Sequence, residues 1–307
     1  MLELYVDTTI AILLQSAIIG ATPLILAALG GLFSERAGIV NIGLEGLMLS
    51  GAFAAALTTL KTGSPWLGIL AGAAAGAAVA LIHAVVCIRF KADQVVSGVA
   101  LNMFASGLTL FLAQVFCERQ RSFAIPEEAR LPVLADLLGP IPVLGAMSPL
   151  VFLAVLAAPL TWLVVYRTRF GLRLRAVGEN PHAADTAGVP VALYRYAGVL
   201  ISGALAGLGG AYLPFYAGSF VKNMSGGRGY IALAALIFGK WQPAGVFVAC
   251  LLFGLASAVQ DFVQGTWLPS QFAQMIPYVV TMVTLAGFIG QAGPPGALGK
   301  PYEKEAR

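Results

Sequence analysis

Seven stretches of this sequence run without a single Asp, Glu, Lys or Arg: residues 8–34, 62–88, 94–117, 137–166, 196–221, 241–260 and 262–299. A helix needs about 20 apolar residues to cross the hydrocarbon core of a bilayer. Each window is that long. Residues 37–60 add another apolar run, interrupted only by Glu45. Residues 229–239 are apolar but too short to cross alone, since a helix rises only about 1.5 Å per residue. That segment reads as a half-helix or re-entrant piece. The expected fold is all-α: a polytopic transmembrane helix bundle of eight full spans, or nine crossings with the half-helix. Residues 1–307 are expected to form a single membrane domain.

Composition agrees. Only 10% of residues are charged and 59% are hydrophobic, against about 25% charged in a soluble domain. The net charge is +4. The basic residues stand at the ends of apolar runs, as membrane topology requires, and not in one patch that would suit nucleic acid. Cys87, Cys117 and Cys250 sit singly in or beside apolar segments. They form neither a disulfide framework nor a zinc spacing. Residues 1–7 carry acids and no Lys or Arg, so the basic start of a cleaved leader is missing and the first helix is expected to be retained.

Lys and Arg counts set the orientation. With the N-terminus outside and nine alternating crossings, 12 basic residues fall inside, among them Arg36, Arg89, Lys91, Arg167, Arg195 and Lys240. Six fall outside: Lys61, Arg119, Arg121, Arg130, Lys222 and Arg228. Two hydrophilic loops then stand out. A Pro-rich loop over about 118–147 is placed outside, and a basic loop over about 167–195 is placed in the cytoplasm. The second is longer than the usual 2–8 residues between helices and is expected to hold structure of its own.

Helices in lipid pack through small residues that let backbones approach. Gly68, Gly72 and Gly76 recur every fourth residue, as do Gly203 and Gly207. Both stripes are expected to be helix contacts. Pro159 and Pro243 are expected to provide bends.

The chain offers no HExxH, CxxC, GxSxG or GxxxxGK[ST], and its two histidines, His83 and His182, lie far apart. If ATP drives it, another chain must bind the nucleotide. Glu45 is the most informative residue, because a carboxylate inside an apolar span marks a functional site by default. Asn41 shares its helical face, four residues earlier. Two readings are open. The pair could line a polar cavity, or Asn41 could cap a helix whose first turn holds Glu45. Gln94, Ser97 and Asn102 could line a path at the start of the fourth span, or bond to neighbouring helices. His83 reads as a satisfied packing residue.

In the inside loop, Asn180-Pro181 is a helix start, with Asn as cap and Pro at the first position. A short helix over His182–Ala187, ended by Gly188, would suit docking to a motor protein.

At these residues the chain resembles a known family. Residues 34–53 (SERAGIVNIGLEGLMLSGAF), 91–102 (KADQVVSGVALN), 175–189 (RAVGENPHAADTAGV) and 227–245 (GRGYIALAALIFGKWQPAG) resemble permeases of nucleoside-type ABC importers, those paired with basic-membrane-protein-type lipoproteins. These permeases stand within the group that includes branched-chain amino acid and ribose permeases. The resemblance implies a permease of the bacterial plasma membrane that imports nucleosides by alternating access. It implies three partners: a second, related permease, a cytoplasmic ABC ATPase that carries ATP and Mg, and an extracytoplasmic substrate-binding lipoprotein. This chain itself would hold no cofactor. The loop Gly178, Glu179, Asn180, Ala183, Ala184, Asp185 and Gly188 would be the coupling element, with the small alanine pair seated against the ATPase. Asn41, Glu45, Gln94, Ser97 and Asn102 remain the candidates for the substrate path. A branched-chain amino acid or simple-sugar permease, or a transporter acting alone, are the alternatives.

Overall fold

In the computed structural model, residues 2–116, 122–139, 145–264, 269–273, 275–277, 279–280, 282–283 and 293–303 are described. They form α1 (Leu2–Arg36), α2 (Leu44–Thr62), α3 (Pro65–Ala84, continued by a wider π turn over Val85–Arg89) and α4 (Gln94–Phe116). Then come β1 (Phe123–Ala124), the short α5 (Leu134–Leu138), α6 (Pro149–Arg167), α7 (Arg169–Glu179) and α8 (Pro181–Thr186). The chain continues with α9 (Val191–Ala217), β2 (Ser219–Phe220), α10 (Arg228–Phe238), α11 (Pro243–Val263) and α12 (Ser270–Ala273). The only pairing of strands among the described residues joins β1 to β2 over two residues each.

Local chemistry sets the helix ends. Gly63, in the left-handed region at φ 70°, closes α2, and its N–H reaches Thr59 O at 2.8 Å. Ser64 then caps α3, with Pro65 at the first position where its missing N–H costs nothing. Thr168 caps α7, accepting from Gly171 N at 3.1 Å. Pro23, Pro159 and Pro214 fall inside α1, α6 and α9. Pro243 does not provide the expected bend: it opens α11 in its first turn.

Six helices are long and apolar enough to cross a membrane: Ile10–Arg36, Pro65–Arg89, Gln94–Phe116, Pro149–Arg167, Val191–Ala217 and Pro243–Val263. The 19-residue α2 carries Glu45 and Lys61 and is largely buried, so it needs little apolar surface of its own toward lipid. The 11-residue α10 takes the place of the expected half-helix. Among the described residues six helices meet that measure; the remaining crossings of the expected eight or nine fall on α2, α10 and the window 262–299. Residues 265–268, 274, 278, 281 and 284–292 of the window 262–299 lie outside the described residues, as do Cys117 and residues 118–121 and 140–144 of the outer loop.

The core is built around α9, which packs on α1, α2 and α3, while α11 packs on α1. Both glycine stripes sit at these contacts. A Cβ on Gly76 would strike Gly203 O and stand 2.8 Å from Gly207 Cα; one on Gly72 would stand 2.9 Å from Gly51 O. Such distances leave no room for any side chain, so α3 and α9 meet backbone to backbone. Large apolar side chains such as Leu70, Val96, Met103 and Leu156 point outward, as a lipid-facing surface requires.

Both ends of the bundle are defined by contacts. At one end Arg36 donates to Trp241 O (3.0 and 2.7 Å) and lies 4.0 Å from Glu179. This gathers the ends of α1 and α10 with α7 and α8. At the far end of α9, β2 pairs with β1, and Phe53, Phe123 and Phe220 cluster with centroids 5.4–6.4 Å apart.

Candidate functional site

The site begins where the chain turns back between α1 and α2. Residues 37–43 re-enter the bundle, with Gly38 at φ 89°, and the turn is fastened on both sides. Val40 N donates to Gln94 Oε1 at 2.7 Å. His83 Nε2 lies 3.0 Å from Val40 O, and its Nδ1 lies 2.9 Å from Ser97 Oγ. Asn41 is fully buried and donates to Ser202 Oγ of α9 at 2.9 Å. Asn102 grips the start of α2 from α4: its Oδ1 accepts from Gly46 N at 2.8 Å, and its Nδ2 donates to Ile42 O at 3.0 Å. Gly43, not Asn41, holds the cap position of α2, and no side chain caps it.

Glu45 lies in the first turn of α2, as one reading expected, but its carboxylate serves a different helix. Oε1 accepts from Gly227 N at 2.8 Å and Oε2 from Gly229 N at 2.7 Å. Both amides belong to the start of α10. The first amides of a helix have no partner within it, and the N-terminus carries partial positive charge. A carboxylate from a neighbouring helix answers both needs. Gly229 is required for close approach: a Cβ there would collide with Glu45 N and Cα.

Beside this junction a cavity of about 410 Å³ opens to the outside of the chain, lined by Glu45, Asn102, Ser106, Asn223, Tyr230 and Met103, among others. That volume lies within the ~300–1,000 Å³ usual for small-molecule sites. Its polar groups are linked: Asn102 Nδ2 also reaches Tyr230 Oη at 3.0 Å, and Ser106 Oγ donates to Asn223 Oδ1 at 2.9 Å. Asn102 is the ninth residue of the 23-residue α4, so the cavity lies roughly 12 Å along a helix of about 35 Å.

Of the five path candidates, Glu45 and Asn102 are brought together at the cavity. Asn41, Gln94 and Ser97 stand outside it, engaged in holding the turn and His83. Sequence reasoning missed Ser106, Asn223 and Tyr230. Ser106 was within reach, because it follows Asn102 by four residues on the same face. Asn223 and Tyr230 gave no local signal. Glu35 was also missed: it is buried and accepts from Trp241 Nε1, tying the end of α1 to the turn after α10.

The coupling candidates form a second constellation. Asn180 Oδ1 accepts from Ala183 N at 3.0 Å, Pro181 opens α8, and Gly188 at φ 80° ends it. A Cβ on Gly178 would collide with Arg36 O and stand 3.2 Å from Gly38 N, so the end of α7 touches the α1–α2 turn directly. Glu179 is half-exposed and accepts from Gly296 N at 3.1 Å. The alanine pair divides. Ala184 is 4% exposed and packs into the core of the bundle, while Ala183 faces outward with His182. Asp185 is partly buried.

The family described as branched-chain amino acid transport system, permease component, matches residues 13–285. The guanosine ABC transporter permease protein NupQ of Bacillus subtilis is 46% identical over 319 residues, covering 97% of this chain and 98% of that protein. The nucleoside ABC transporter permease protein NupC of Lactococcus lactis is 46% identical over 318 residues, covering 97% and 99%. The putative glucose ABC transporter permease protein TsgC13 of Haloferax volcanii is 42% identical over 253 residues, covering 81% and 76%.

Proposed function

Because the chain belongs to the family of branched-chain amino acid transport system permease components, we propose that it is the multi-pass permease subunit of a nucleoside ABC importer in the bacterial plasma membrane. Identity of 46% over 97% of this chain to two nucleoside permeases supports that substrate, against 42% over 81% to a putative glucose permease. The observation that carries the transport reading is the polar cavity at Glu45, Asn102, Ser106, Asn223 and Tyr230 inside an apolar bundle. Polar groups at that depth belong to a water-filled path or a protein interface, not to lipid.

The cavity opens to the outside of the chain, so a second permease would close it and the substrate would pass between the two. The partners are then that second permease, a cytoplasmic ABC ATPase holding ATP and Mg, and an extracytoplasmic substrate-binding lipoprotein. Residues 167–195 lie in the cytoplasm and 118–147 outside. The whole chain, one permease domain over 1–307, crosses eight times, or nine counting α10.

Contacts suggest how the motor's movement reaches the substrate. The ATPase pushes α8 through its outward face at His182 and Ala183. The end of α7, in backbone contact with the α1–α2 turn at Gly178, moves with it. That turn leads into Glu45, which holds the start of α10 at the cavity wall. A shift at α8 thereby changes the cavity and alternates its access.

The test is uptake by proteoliposomes holding the assembled importer, with labelled nucleosides, branched-chain amino acids and sugars as competing substrates. Uptake should require ATP and favour nucleosides. Ala183→Trp should abolish ATPase docking and uptake. Accumulation by this chain alone, or normal docking and uptake with Trp at 183, would overturn the reading.

A further inference from the structure

Residues 296–303, at and just beyond the end of the last apolar window, lie against the α7–α8 end and bind several elements there. Gly296 N donates to Glu179 Oε2 at 3.1 Å and Ala297 N to Gly178 O at 2.9 Å. Gly299 N donates to Gly38 O in the α1–α2 turn at 3.2 Å. Lys300 O accepts from Arg195 Nη1 at 3.2 Å. The Tyr302 ring stands edge-on to His182 of α8, with centroids 5.2 Å apart and planes at 63°, and 5.9 Å from the Arg195 guanidinium. Glu303 Oε1 meets Lys91 Nζ at 2.6 Å. One short segment thus touches the end of α7, the helix α8, the start of α9, the re-entrant turn and the α3–α4 connection.

Two features make this more than a tail lying on a surface. Arg195 is 2% exposed, yet its Nε and Nη2 have no hydrogen-bond partner among the described residues. Its buried charge therefore leans on Lys300 O and the Tyr302 ring, and an uncompensated buried charge is strongly unfavourable. Second, α8 is six residues long, far below the length at which a helix holds itself. Its orientation must come from its surroundings. Ala184 anchors its inner face, and Tyr302 meets its outward-facing His182.

We propose that residues 296–303 are a strap in which Tyr302 is a positioning residue for energy coupling, locking α8, Arg195 and the α1–α2 turn into one body. The motor's displacement then reaches Glu45 and the cavity instead of tilting α8 by itself. This rests on reading α8 as the ATPase contact, and it adds a residue outside both the loop and the cavity.

The experiment compares Tyr302→Ala, Tyr302→Phe and Ala183→Trp in the complete importer in proteoliposomes. ATPase docking, melting temperature, ATP hydrolysis and nucleoside uptake are read on each. Tyr302→Ala should leave docking intact and lower nucleoside moved per ATP by about five- to tenfold, the scale set by removing one aromatic pair and one cation–π interaction together. Tyr302→Phe, which keeps the ring, should restore the ratio to within about twofold of the parent. An unchanged ratio in Tyr302→Ala overturns the proposal. So does a parallel loss of hydrolysis and uptake at constant ratio, or a Phe variant as poor as Ala. If Ala183→Trp still docks and transports, the reading of α8 itself fails. If it does not dock while Tyr302→Ala is normal, the strap alone fails.

Discussion

Removing the carboxylate at Glu45 tests the junction on which the cavity is built. The two bonds from Gly227 N and Gly229 N are 2.8 and 2.7 Å long. Hydrogen bonds to a charged group contribute about 1.5–3 kcal/mol each, and a buried amide left without a partner is itself unfavourable by about 1–3 kcal/mol. Glu45 is only partly buried, so the low end applies. Glu45→Ala should then destabilise the start of α10 by about 3–4 kcal/mol. Glu45→Gln keeps one acceptor oxygen but turns an amide donor toward the other N–H, so about half of that is expected. At about 1.4 kcal/mol per factor of ten, local opening should rise by several hundredfold in the alanine variant and roughly ten- to thirtyfold in the glutamine variant. Hydrogen exchange of residues 226–231 in nanodiscs reads that opening directly, and nucleoside uptake should fall in the same order. If exchange at Gly227 and Gly229 is unchanged in Glu45→Ala, the capping argument is wrong. Glu45 would then act on substrate alone or not at all.

Two further outcomes follow from the packing and from the strap. Gly76→Ala should lower stability by about 1–3 kcal/mol through overpacking against Gly203 O. Gly107→Ala, where a Cβ meets nothing within 4 Å, should be neutral or slightly stabilising in the same melting assay. Lys91 holds the Glu303 carboxyl below the ordinary carboxylate range, first by its hydrogen bond and then by its charge. A depressed pKa stabilises the strap above the unfolded value of about 4.3, and that contribution fades as pH falls through the lower folded value. Protection of the amides of residues 298–303, taken relative to their intrinsic exchange rates at each pH, should therefore be flat around neutrality and fall in acid. Lys91→Ala should remove the dependence, and a profile unaltered by Lys91→Ala would disprove the link.

Much of the architecture was legible because its causes are local. Charge-free length marks a span, and α1, α3, α4, α6, α9 and α11 fall on their windows. The short apolar run after Arg228 became α10, because too few residues were present to make a longer helix. Asn180, Pro181 and Gly188 framed α8 within a residue at each end, since capping acts over three or four positions. The four-residue recurrence at Gly72, Gly76, Gly203 and Gly207 identified which faces of α3 and α9 meet, because one turn of helix brings those positions into line.

Nothing comparable could place Glu45 against amides 182 and 184 residues away. A carboxylate in the first turn of a helix looks the same whether it serves its own N-terminus or another. The same holds for Asn41, Gln94 and Ser97, whose side chains were polar enough for a path and are engaged elsewhere. The division of Ala183 from Ala184 depends on how a six-residue helix is rolled against the bundle, and its sequence has too little periodicity to say. Tyr302 and Arg195 offered even less, being 107 residues apart on segments with no shared pattern. By itself the sequence determined the solvent, the extent of the apolar helices it could form, their breaks and their glycine seams. Only the tertiary structure decided which polar groups turn toward the cavity and which hold the bundle together. Hydrophobicity and capping act along a few turns of chain, whereas the pairing of buried polar groups is fixed by where distant segments come to rest.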